Sequence, residues 1–304
     1  MECEGCGHAS FERAGGVPDV RYGVPSEMFD VMRCRGCGLV RTAVAGEAYD
    51  PAPHYGQQYG AFVERALPPV PGSGRKLVAA LDSALLGVGV ARQRLSVLRT
   101  MDITADTRVL DVGCGSGEIA RAVARAYGCR VRGIEPDAGA ASTARAHGVE
   151  VFVGRAEDYR PEQKVDLALM IHSLEHVSHP AAVLSTLHAS LEGDGALIVA
   201  VPNYRSLERL IFRRYWDAWD VPRHVHHYTP RTLGALLRAC GFAPRQTYYE
   251  MYSVLGRSLG NLLHRGAYER RKSRVRLGRL ESAWGLAQAL LHQSSAMTIV
   301  ANRI

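Results

Sequence analysis

The feature that most constrains this chain is a glycine-rich turn after a short apolar strand. The run Val109-Leu110-Asp111-Val112-Gly113-Cys114-Gly115-Ser116-Gly117 predicts a strand, a tight turn and a helix from about Glu118. Glycine at alternate positions lets the backbone turn sharply and approach a ligand that any Cβ would hold away. A strand, a glycine-rich turn and a helix in this order form the nucleotide-binding corner of a doubly wound α/β sheet.

Acidic residues near this turn narrow the choice of ligand. Asp111 stands two residues before the first glycine, and the spacing is not the Gly-x-Gly-x-x-Gly of dinucleotide folds. An acid there suits a ligand with a cationic amino-acid end and repels a pyrophosphate. About twenty residues later, the predicted strand 130–135 ends in Glu135, whose carboxylate can accept from both hydroxyls of a ribose. A third strand leads to the turn Ala156-Glu157-Asp158.

Together these features resemble the class I S-adenosylmethionine-dependent methyltransferases. The resemblance is carried by the Asp-Val-Gly-Cys-Gly-Ser-Gly run, Glu135, the 156–158 turn and the segment 172–177. It implies that the glycine turn meets the methionine part of the cofactor, Glu135 the ribose and the third turn the adenine. The cofactor-binding residues that it implies are Asp111, Gly113, Cys114, Gly115, Gly117, Glu135, Ala156, Glu157, Asp158 and His172. Arg155 stands where many relatives carry an acid facing the adenine amine, which leaves that contact to Glu157 or Asp158.

Strands and helices are predicted to alternate after the glycine turn. Strands are expected near 108–113, 130–135, 149–154, 165–171 and 195–201, and helices near 117–127, 138–147 and 180–192. This alternation predicts parallel strands with helices on both faces. Two more strands are predicted at 245–251 and 296–301. The expected fold class is therefore α/β, and the resemblance implies a seven-stranded Rossmann-like sheet with an antiparallel last strand.

Two Cys-x-x-Cys pairs near the start predict a zinc site. Cys3 and Cys6 form the first pair, Cys34 and Cys37 the second, and a glycine follows each pair. Four thiolates form a closed tetrahedral set, so the expected zinc is structural. The 27 residues between the pairs predict a loop or hairpin, with a strand over 27–33 entering the second pair. A redox role for the cysteines is the alternative. The remaining cysteines are interpreted as packed thiols: Cys114, Cys129 and Cys240.

The domain division follows from composition. The chain of 304 residues has room for one large domain and a small module. Residues 68–74 have the composition of a linker, and 75–101 carry apolar residues at helical spacing. We therefore expect a zinc-binding module with its connector over 1–66 and a methyltransferase domain over 67–304. An acceptor-site insertion is expected near 204–230.

Charge and hydropathy indicate a cytoplasmic protein. The net charge of +7 permits an anionic partner without demanding one, and no apolar run reaches the length of a membrane span. The start does not have the pattern of a signal peptide. The stretch 264–279 carries seven Lys or Arg and one Glu. We interpret it as a solvated helix face, with nucleic acid, anionic lipid or an acidic partner as the alternatives.

The segment after the fourth strand of the methyltransferase domain has two interpretations. His172 and His176 are four residues apart, with Glu175 beside them. The segment resembles that of the ubiquinone-pathway O-methyltransferases, where a Glu and a following Glu-His have been linked to a divalent metal. Here His172 replaces the first acid. The interpretation that we favour is that Glu175 and His176 are hydrogen-bonding residues beneath the cofactor.

The least generic segment runs from 204 to 230. Ser206 is expected to cap a helix whose apolar face includes Leu207, Leu210 and Ile211. Aromatic and basic residues then cluster, and we expect those that contact the acceptor to be Trp216, Trp219, Arg223 and Tyr228.

Histidines in the same segment are the candidates for proton removal. In zinc-bearing sugar C-methyltransferases, which this segment resembles, a Glu-His before a Tyr supplies the base. His224 falls on that histidine and Arg223 replaces the Glu. His176 and His227 are the other catalytic candidates. The alternative is that these histidines only hydrogen-bond the loop to the sheet.

Three functions are compatible with this pattern. The first is an S-adenosylmethionine-dependent methyltransferase acting on a small molecule, most plausibly a sugar or a natural-product intermediate. The second is a nucleic-acid methyltransferase that grips RNA with the zinc module and the basic stretch. Against it, the Asn/Asp-Pro-Pro-Tyr tetrad of amino-methylating enzymes is absent, and Ile171-His172-Ser173-Leu174 stands in its place. The third is a non-catalytic cofactor-binding interaction module.

Overall fold

The structure is a computed structural model that describes residues 2–20, 27–44, 54, 96–263, 275 and 277–304. The strands that it describes are, in chain order, β1 (Phe11–Pro18), β2 (Met28–Cys34), β3 (Val40–Thr42), β4 (Arg108–Val112), β5 (Arg130–Glu135), β6 (Glu150–Val153), β7 (Val165–Ile171), β8 (Leu191–Pro202), β9 (His226–His227), β10 (Phe242–Tyr249) and β11 (Ala296–Arg303). The α-helices are α1 (Glu118–Tyr127), α2 (Ala138–Ala146), α3 (Pro180–Ser190), α4 (Leu207–Phe212), α5 (Pro230–Ala239), α6 (Leu255–Leu263) and α7 (Arg279–Leu290).

Seven strands form the main sheet, in the order β10-β11-β8-β7-β4-β5-β6. The five strands β4 to β8 are parallel, and β11 runs antiparallel between β8 and β10. The predicted α/β class, seven-stranded sheet and antiparallel last strand are confirmed. Two boundaries differ by more than two residues. The strand β8 begins at Leu191, where it already pairs with Val165, four residues before the predicted start, and β10 begins at Phe242, three residues before its predicted start.

A second sheet, β1-β2-β3-β9, carries the N-terminal cysteines. The predicted hairpin between the two cysteine pairs is present, because β1 and β2 pair antiparallel from Phe11 with Cys34 to Pro18 with Met28. The fourth strand comes from the far end of the chain, where His226 and His227 pair with β3. The N-terminal module and the segment 204–230, called the acceptor segment below, therefore share one sheet, although they were predicted to lie in separate domains.

Several expectations fall on residues outside the described ranges. They are the division near residue 66, the linker 68–74, most of the helix over 75–101 and the greater part of the basic stretch 264–279. Of the predicted 75–101 helix, the structure describes a short 3-10 turn, Ser96–Thr100. Among the described helices, none combines the length and the apolar character that a membrane crossing needs.

The helix after β8 is capped as predicted but faces the other way. The Ser206 hydroxyl accepts a hydrogen bond from Arg209 N at 3.2 Å at the start of α4. The apolar pair Leu210 and Ile211, expected to face inward, is 52% exposed. The buried residues of α4 are instead Glu208, which is fully buried, and Phe212, which packs in a hydrophobic core with Trp216.

Glu208 holds the last third of the chain together through five donors. Its Oε1 accepts from Ser253 Oγ (2.6 Å), Trp284 Nε1 (3.1 Å) and Gln288 Nε2 (3.1 Å). Its Oε2 accepts from Val254 N (3.0 Å) and Ser295 Oγ (2.5 Å). A buried carboxylate is tolerated only when its oxygens are satisfied in this way. One side chain thereby fixes α4, the start of α6, α7 and the start of β11 relative to one another.

We expect Glu208→Gln to lower the stability of the protein substantially. The new amide group must direct two hydrogens at an oxygen position that only donors surround, so buried donors lose their acceptor at about 1–3 kcal/mol each. The check is the unfolding midpoint in a denaturant titration. The exposed Glu162 offers a matched control, because Glu162→Gln should leave the midpoint unchanged. Equal midpoints for the two variants would contradict the role of Glu208.

Candidate active site

The glycine turn after β4 adopts a conformation that only glycine reaches easily. Gly113, Gly115 and Gly117 have φ angles of 75°, 54° and 80°. A Cβ on Gly113 would lie 2.6 Å from Ser173 Cβ, and one on Gly117 would lie 3.0 Å from Ala144 Cβ. The turn is therefore packed against the segment after β7 on one side and against α2 on the other.

Two acids converge on this turn. Asp111 is buried, and burial, helped by the charge of Glu135, raises the pKa of Asp111 to about 7. Among the described residues nothing hydrogen-bonds its Oδ2. The Glu135 carboxylate accepts from Gly115 N at 2.8 Å and from Asp137 N at 2.9 Å, and burial raises its pKa as well. A buried acid with an unsatisfied oxygen is suited to a cationic group.

The third turn, Ala156–Asp158, follows β6 as predicted. Arg155 donates to Glu157 Oε1 at 3.1 Å, so one of the two candidate acids is paired with the residue that replaces the usual acid. Cys114 is turned into the fold rather than outward. Its Sγ lies 2.4 Å from the position that a Cβ on Gly133 would take, so the sulfur fills the place of a side chain on β5.

The segment after β7 brings His172 and Glu175 together. His172 has a left-handed backbone (φ 56°), and its Nδ1 lies 3.2 Å from Glu175 Oε1. A single 3-10 turn, Leu174–His176, follows Ser173, the residue packed against Gly113. These side chains lie at the carboxyl end of β7, where ligands of such sheets bind.

His224 reaches this turn from the acceptor segment. Its Nδ1 lies 3.0 Å from Ala218 O, and a carbonyl only accepts, so Nδ1 carries the proton in the neutral ring. The lone pair is then on Nε2, which lies 3.9 Å from Glu175 Oε1 and 3.7 Å from Asp220 Oδ2. The Val225 amide donates to Glu175 O at 2.8 Å and holds the two segments in register.

His176 lies beside His224 in the same arrangement. The two rings are 4.6 Å apart, centre to centre, and His176 Nδ1 donates to Arg223 O at 3.0 Å. Donor atoms of Glu175, His176 and His224 all lie within 4.8 Å of one another. Two histidines whose Nδ1 donates to a carbonyl, next to a carboxylate, also form a set that could hold a divalent metal.

Arg223 does not point to an acceptor as expected. Its guanidinium is fully buried and is bound by two carboxylates, at 2.6 Å from Asp19 Oδ1 and 2.7 Å from Asp220 Oδ1. Asp19 follows β1, so this ion pair joins the N-terminal module to the acceptor segment. Asp220 touches both Arg223 and His224, and it could have been inferred from its spacing. Asp19 could not, because it lies 204 residues before Arg223.

The two tryptophans are also placed differently from the expectation. Trp216 and Trp219 are buried in a hydrophobic core with Val17, Val31 and Val40 of the module. Trp216 donates to Ser295 Oγ at 3.2 Å, and Trp219 donates to Arg213 O at 2.8 Å. They stabilise the acceptor segment by packing it against the module. Tyr228 is fully buried too, but its hydroxyl has no hydrogen-bond partner among the described residues.

His227, the third catalytic candidate, contacts Thr42 of β3. Its Nε2 lies 3.0 Å from the Thr42 hydroxyl, and that hydroxyl donates to His224 O at 2.7 Å. Burial lowers the pKa of His227 to about 3. The ring therefore stays neutral and ties β9 to β3.

The four N-terminal cysteines form one compact cluster. Cys3 Sγ lies 3.6 Å from Cys37 Sγ, and Cys6 Sγ lies 3.6 Å from Cys34 Sγ. All four sulfurs lie within 4.8 Å of one another. These separations exclude disulfides and approach the roughly 3.8 Å that separates sulfurs around a tetrahedral zinc ion with bonds of about 2.3 Å.

Comparison with known proteins identifies the family. A family model described as a methyltransferase domain matches residues 54–247. The chain belongs to the class I S-adenosylmethionine-dependent methyltransferases.

Curated relatives of this methyltransferase include proteins named ubiquinone biosynthesis O-methyltransferase. The one from Neisseria meningitidis is 28% identical over 166 residues, which cover 50% of this chain and 70% of the relative. The one from Xanthomonas euvesicatoria is 30% identical over 164 residues, covering 49% and 67%. In both cases about half of this chain lies outside the aligned region.

Solved structures agree on the fold. A chain in the complex of the Haloferax volcanii Trm112 methyltransferase activator superposes with a TM-score of 0.51 at 15% identity, covering 76% of this methyltransferase and 94% of that chain. The cyclase SpnF superposes with a TM-score of 0.50 at 21% identity, covering 70% and 80%. At these identities the likeness supports the fold alone.

We expect Gly113→Ala to abolish cofactor binding and Gly148→Ala to preserve it. Both residues have a left-handed backbone, with φ angles of 75° and 82°, so each alanine costs about 1–2 kcal/mol in backbone strain. Only Gly113 has a neighbour in the way, because nothing lies within 4 Å of a Cβ on Gly148. Calorimetric titration with S-adenosylmethionine measures the difference. Equal affinities would show that this turn is not the cofactor site.

Proposed function

We propose that this methyltransferase transfers a methyl group to a hydroxyl or an acidic carbon of a small biosynthetic intermediate, and that His224 is the general base. A single observation carries the proposal: the Nε2 lone pair of His224 faces Glu175 and Asp220 at the carboxyl end of β7. S-adenosylmethionine supplies an electrophilic methyl group when it is bound. The protein then has to align the acceptor and to accept the proton that the acceptor loses.

The cofactor residues proposed are those of the glycine turn and its acids. Asp111, with an unsatisfied oxygen, is suited to the cationic amino group of the methionine part. Glu135 is suited to the ribose, although its oxygens already accept from two backbone amides. Ala156, Glu157, Asp158 and His172 remain proposals for the adenine side. Gly113, Cys114, Gly115 and Gly117 shape the turn itself.

The surroundings of His224 suit proton uptake. When Nε2 gains a proton, the imidazolium lies within 4 Å of two carboxylates, which stabilise its charge. Arg223 binds the other oxygen of Asp220 and holds that carboxylate in place. Tyr228, whose hydroxyl has no hydrogen-bond partner among the described residues, is the proposed polar contact to the acceptor.

The acceptor class rests on two lines of support. The curated relatives carry the name of an O-methyltransferase of ubiquinone biosynthesis, which favours a hydroxyl acceptor. The acceptor segment resembles that of sugar C-methyltransferases, in which a histidine removes the proton. Both chemistries need a base, so a sugar or natural-product intermediate stays the proposed acceptor.

We expect His224→Gln to lower kcat by a factor of about 10²–10⁴ while cofactor affinity is unchanged, because the base is lost and the cofactor turn is not. Release of S-adenosylhomocysteine is measured with the best acceptor from a screen of phenols, sugars and acidic-carbon compounds. The acid limb of the kcat/KM profile should also disappear. His147→Gln is the matched control, since His147 Nδ1 likewise faces a backbone carbonyl, Thr143 O at 2.8 Å.

The same variants distinguish a base from a metal ligand. If Glu175, His176 and His224 hold a metal, the purified protein contains a second metal ion besides one zinc, and His224→Gln loses it. If His224 is the base, wild type and variant contain the same single zinc. Full turnover by His224→Gln with a native fold would show that another group removes the proton from the acceptor.

We also propose that the cluster of Cys3, Cys6, Cys34 and Cys37 binds a structural zinc ion. Its four thiolates leave no open coordination position for a substrate. Because β3 connects this module to β9, the metal stabilises the sheet that ends next to His224.

We expect Cys34→Ser to lose the zinc ion and to lower the unfolding temperature by several degrees, because metal binding contributes directly to folding. Metal analysis of protein purified without chelator and a thermal melt are the measurements. Cys240→Ser is the control, because Cys240 lies outside the cluster and should keep the zinc. Wild-type protein with no bound zinc would contradict the proposal.

A further inference from the structure

Helix α7 turns its leucines outward. Leu280 and Leu290 are 71% and 74% exposed, Leu286 is 46% exposed, and Leu291, just after the helix, is 65% exposed. Ala283 and Ala287 lie on the same side at helical spacing and are exposed as well. A surface helix normally presents such a stripe to the core.

Polar contacts on the buried side of α7 fix this orientation. Trp284 and Gln288 donate to Glu208, and the Gly256 amide donates to Glu281 Oε1 at 3.3 Å. A Cβ on Gly285 would lie 2.9 Å from Met251 O, so this side of the helix lies directly against backbone. Rotation of α7 to bury its leucines would break these hydrogen bonds and the close approach at Gly285.

The neighbouring helix α4 is arranged in the same way. Glu208 points inward while Leu210 and Ile211 are exposed. The two helices meet at their ends, because Leu207 N donates to Gln293 O at 3.0 Å just after α7. Both helices thus direct Glu208 or its hydrogen-bond partners inward, with Phe212 of α4 also buried, and leave apolar side chains exposed. We call the leucines of α7 (Leu280, Leu286, Leu290 and Leu291) the outer face.

The outer face adjoins the most basic part of the sequence. Residues 265–279 carry seven Lys or Arg and one Glu, and the last of the cations, Arg279, is the first residue of α7. An occupant that buries the leucines and carries negative charge would match both the outer face, with the exposed Arg279 at its start, and the basic composition of the sequence before it.

These two requirements select among possible occupants. A symmetric dimer through the outer face would place the same patch of both copies together and would offer no negative charge to the Arg279 side chains, because the outer face is made of leucines. A nucleic acid would attract the cations but would gain nothing from four leucines. An anionic bilayer offers acyl chains to the leucines and negatively charged headgroups to the basic residues.

We propose that the outer face docks the protein on an anionic membrane surface, with α7 lying parallel to the bilayer. Burial of each leucine in the interface strengthens binding by roughly tenfold, and each nearby cation adds roughly fivefold. The docking does not depend on His224 or on the acceptor, so it stands or falls separately from the proposed function.

The experiment is sedimentation of the full-length protein with vesicles. Vesicles of phosphatidylcholine mixed with phosphatidylglycerol should carry the protein into the pellet at low salt, and phosphatidylcholine alone should carry far less. High salt should release it, because the headgroup attraction is screened. The double variant Leu286→Glu/Leu290→Glu should lower the partition coefficient more than tenfold, and Arg279→Glu should lower it by several-fold.

Ile304 supplies a matched control. It is 73% exposed, like Leu290, but it follows the far end of β11, whose other end is joined to α7. Ile304→Glu should leave vesicle binding unchanged, and melting curves should show that all variants are folded. Binding that ignores lipid charge, or that Ile304→Glu weakens as much as the double variant does, would overturn the proposal. An absence of vesicle binding would overturn it as well, and a dimer that Leu286→Glu/Leu290→Glu dissociates would then identify a second copy of the chain as the occupant.

Discussion

The arrangement of the candidate site depends on the buried guanidinium of Arg223, which forms ion pairs with both Asp19 and Asp220. The guanidinium is fully buried, and loss of one partner from such a pair typically costs about 3–5 kcal/mol, because it leaves an uncompensated charge. Asp19 belongs to the N-terminal module and Asp220 to the acceptor segment. These two ion pairs therefore fix which part of the module faces the end of the main sheet. The pairing of β3 with β9 and the core around Trp216 and Trp219 act on the same junction.

Through this junction the N-terminal module helps to position the residues of the candidate site. Asp220 binds Arg223 with one oxygen and lies near His224 with the other. The Thr42 hydroxyl, on β3, donates to the carbonyl of His224. A change in the cysteine cluster would be transmitted by β2 and β3 to the backbone of the proposed base. The module and the acceptor segment are therefore joined by strand pairing, by the ion pairs of Arg223 and by a common hydrophobic core.

Local patterns in the sequence predicted the parts of the structure that local physics decides. The glycine turn, the alternation of strands and helices, the Ser206 cap and the cysteine pairs each depend on residues close together in the chain, and each is present. The environments of Arg223, Trp216 and His227 could not be predicted, because their partners are remote. Thr42 lies 185 residues before His227, and no pattern in the sequence around Arg223 indicates that Asp19 is its partner. Trp216, Trp219 and Arg223 were expected to contact an acceptor. In the structure the two tryptophans pack against the module, and Arg223 forms an ion pair with Asp19 of the module.

The orientation of α4 shows how one polar residue can reverse an amphipathic pattern. By apolar spacing alone, Leu210 and Ile211 should face the core, yet the buried members of the helix are Glu208 and, one turn later, Phe212. Five hydrogen bonds to one carboxylate outweigh the gain from burying two side chains, because those donors would be left without an acceptor if the helix turned. The same contacts hold α7 with its leucines outward. A hydrophobic surface maintained by a buried polar centre keeps its shape without an occupant, and such a surface is suited to reversible docking.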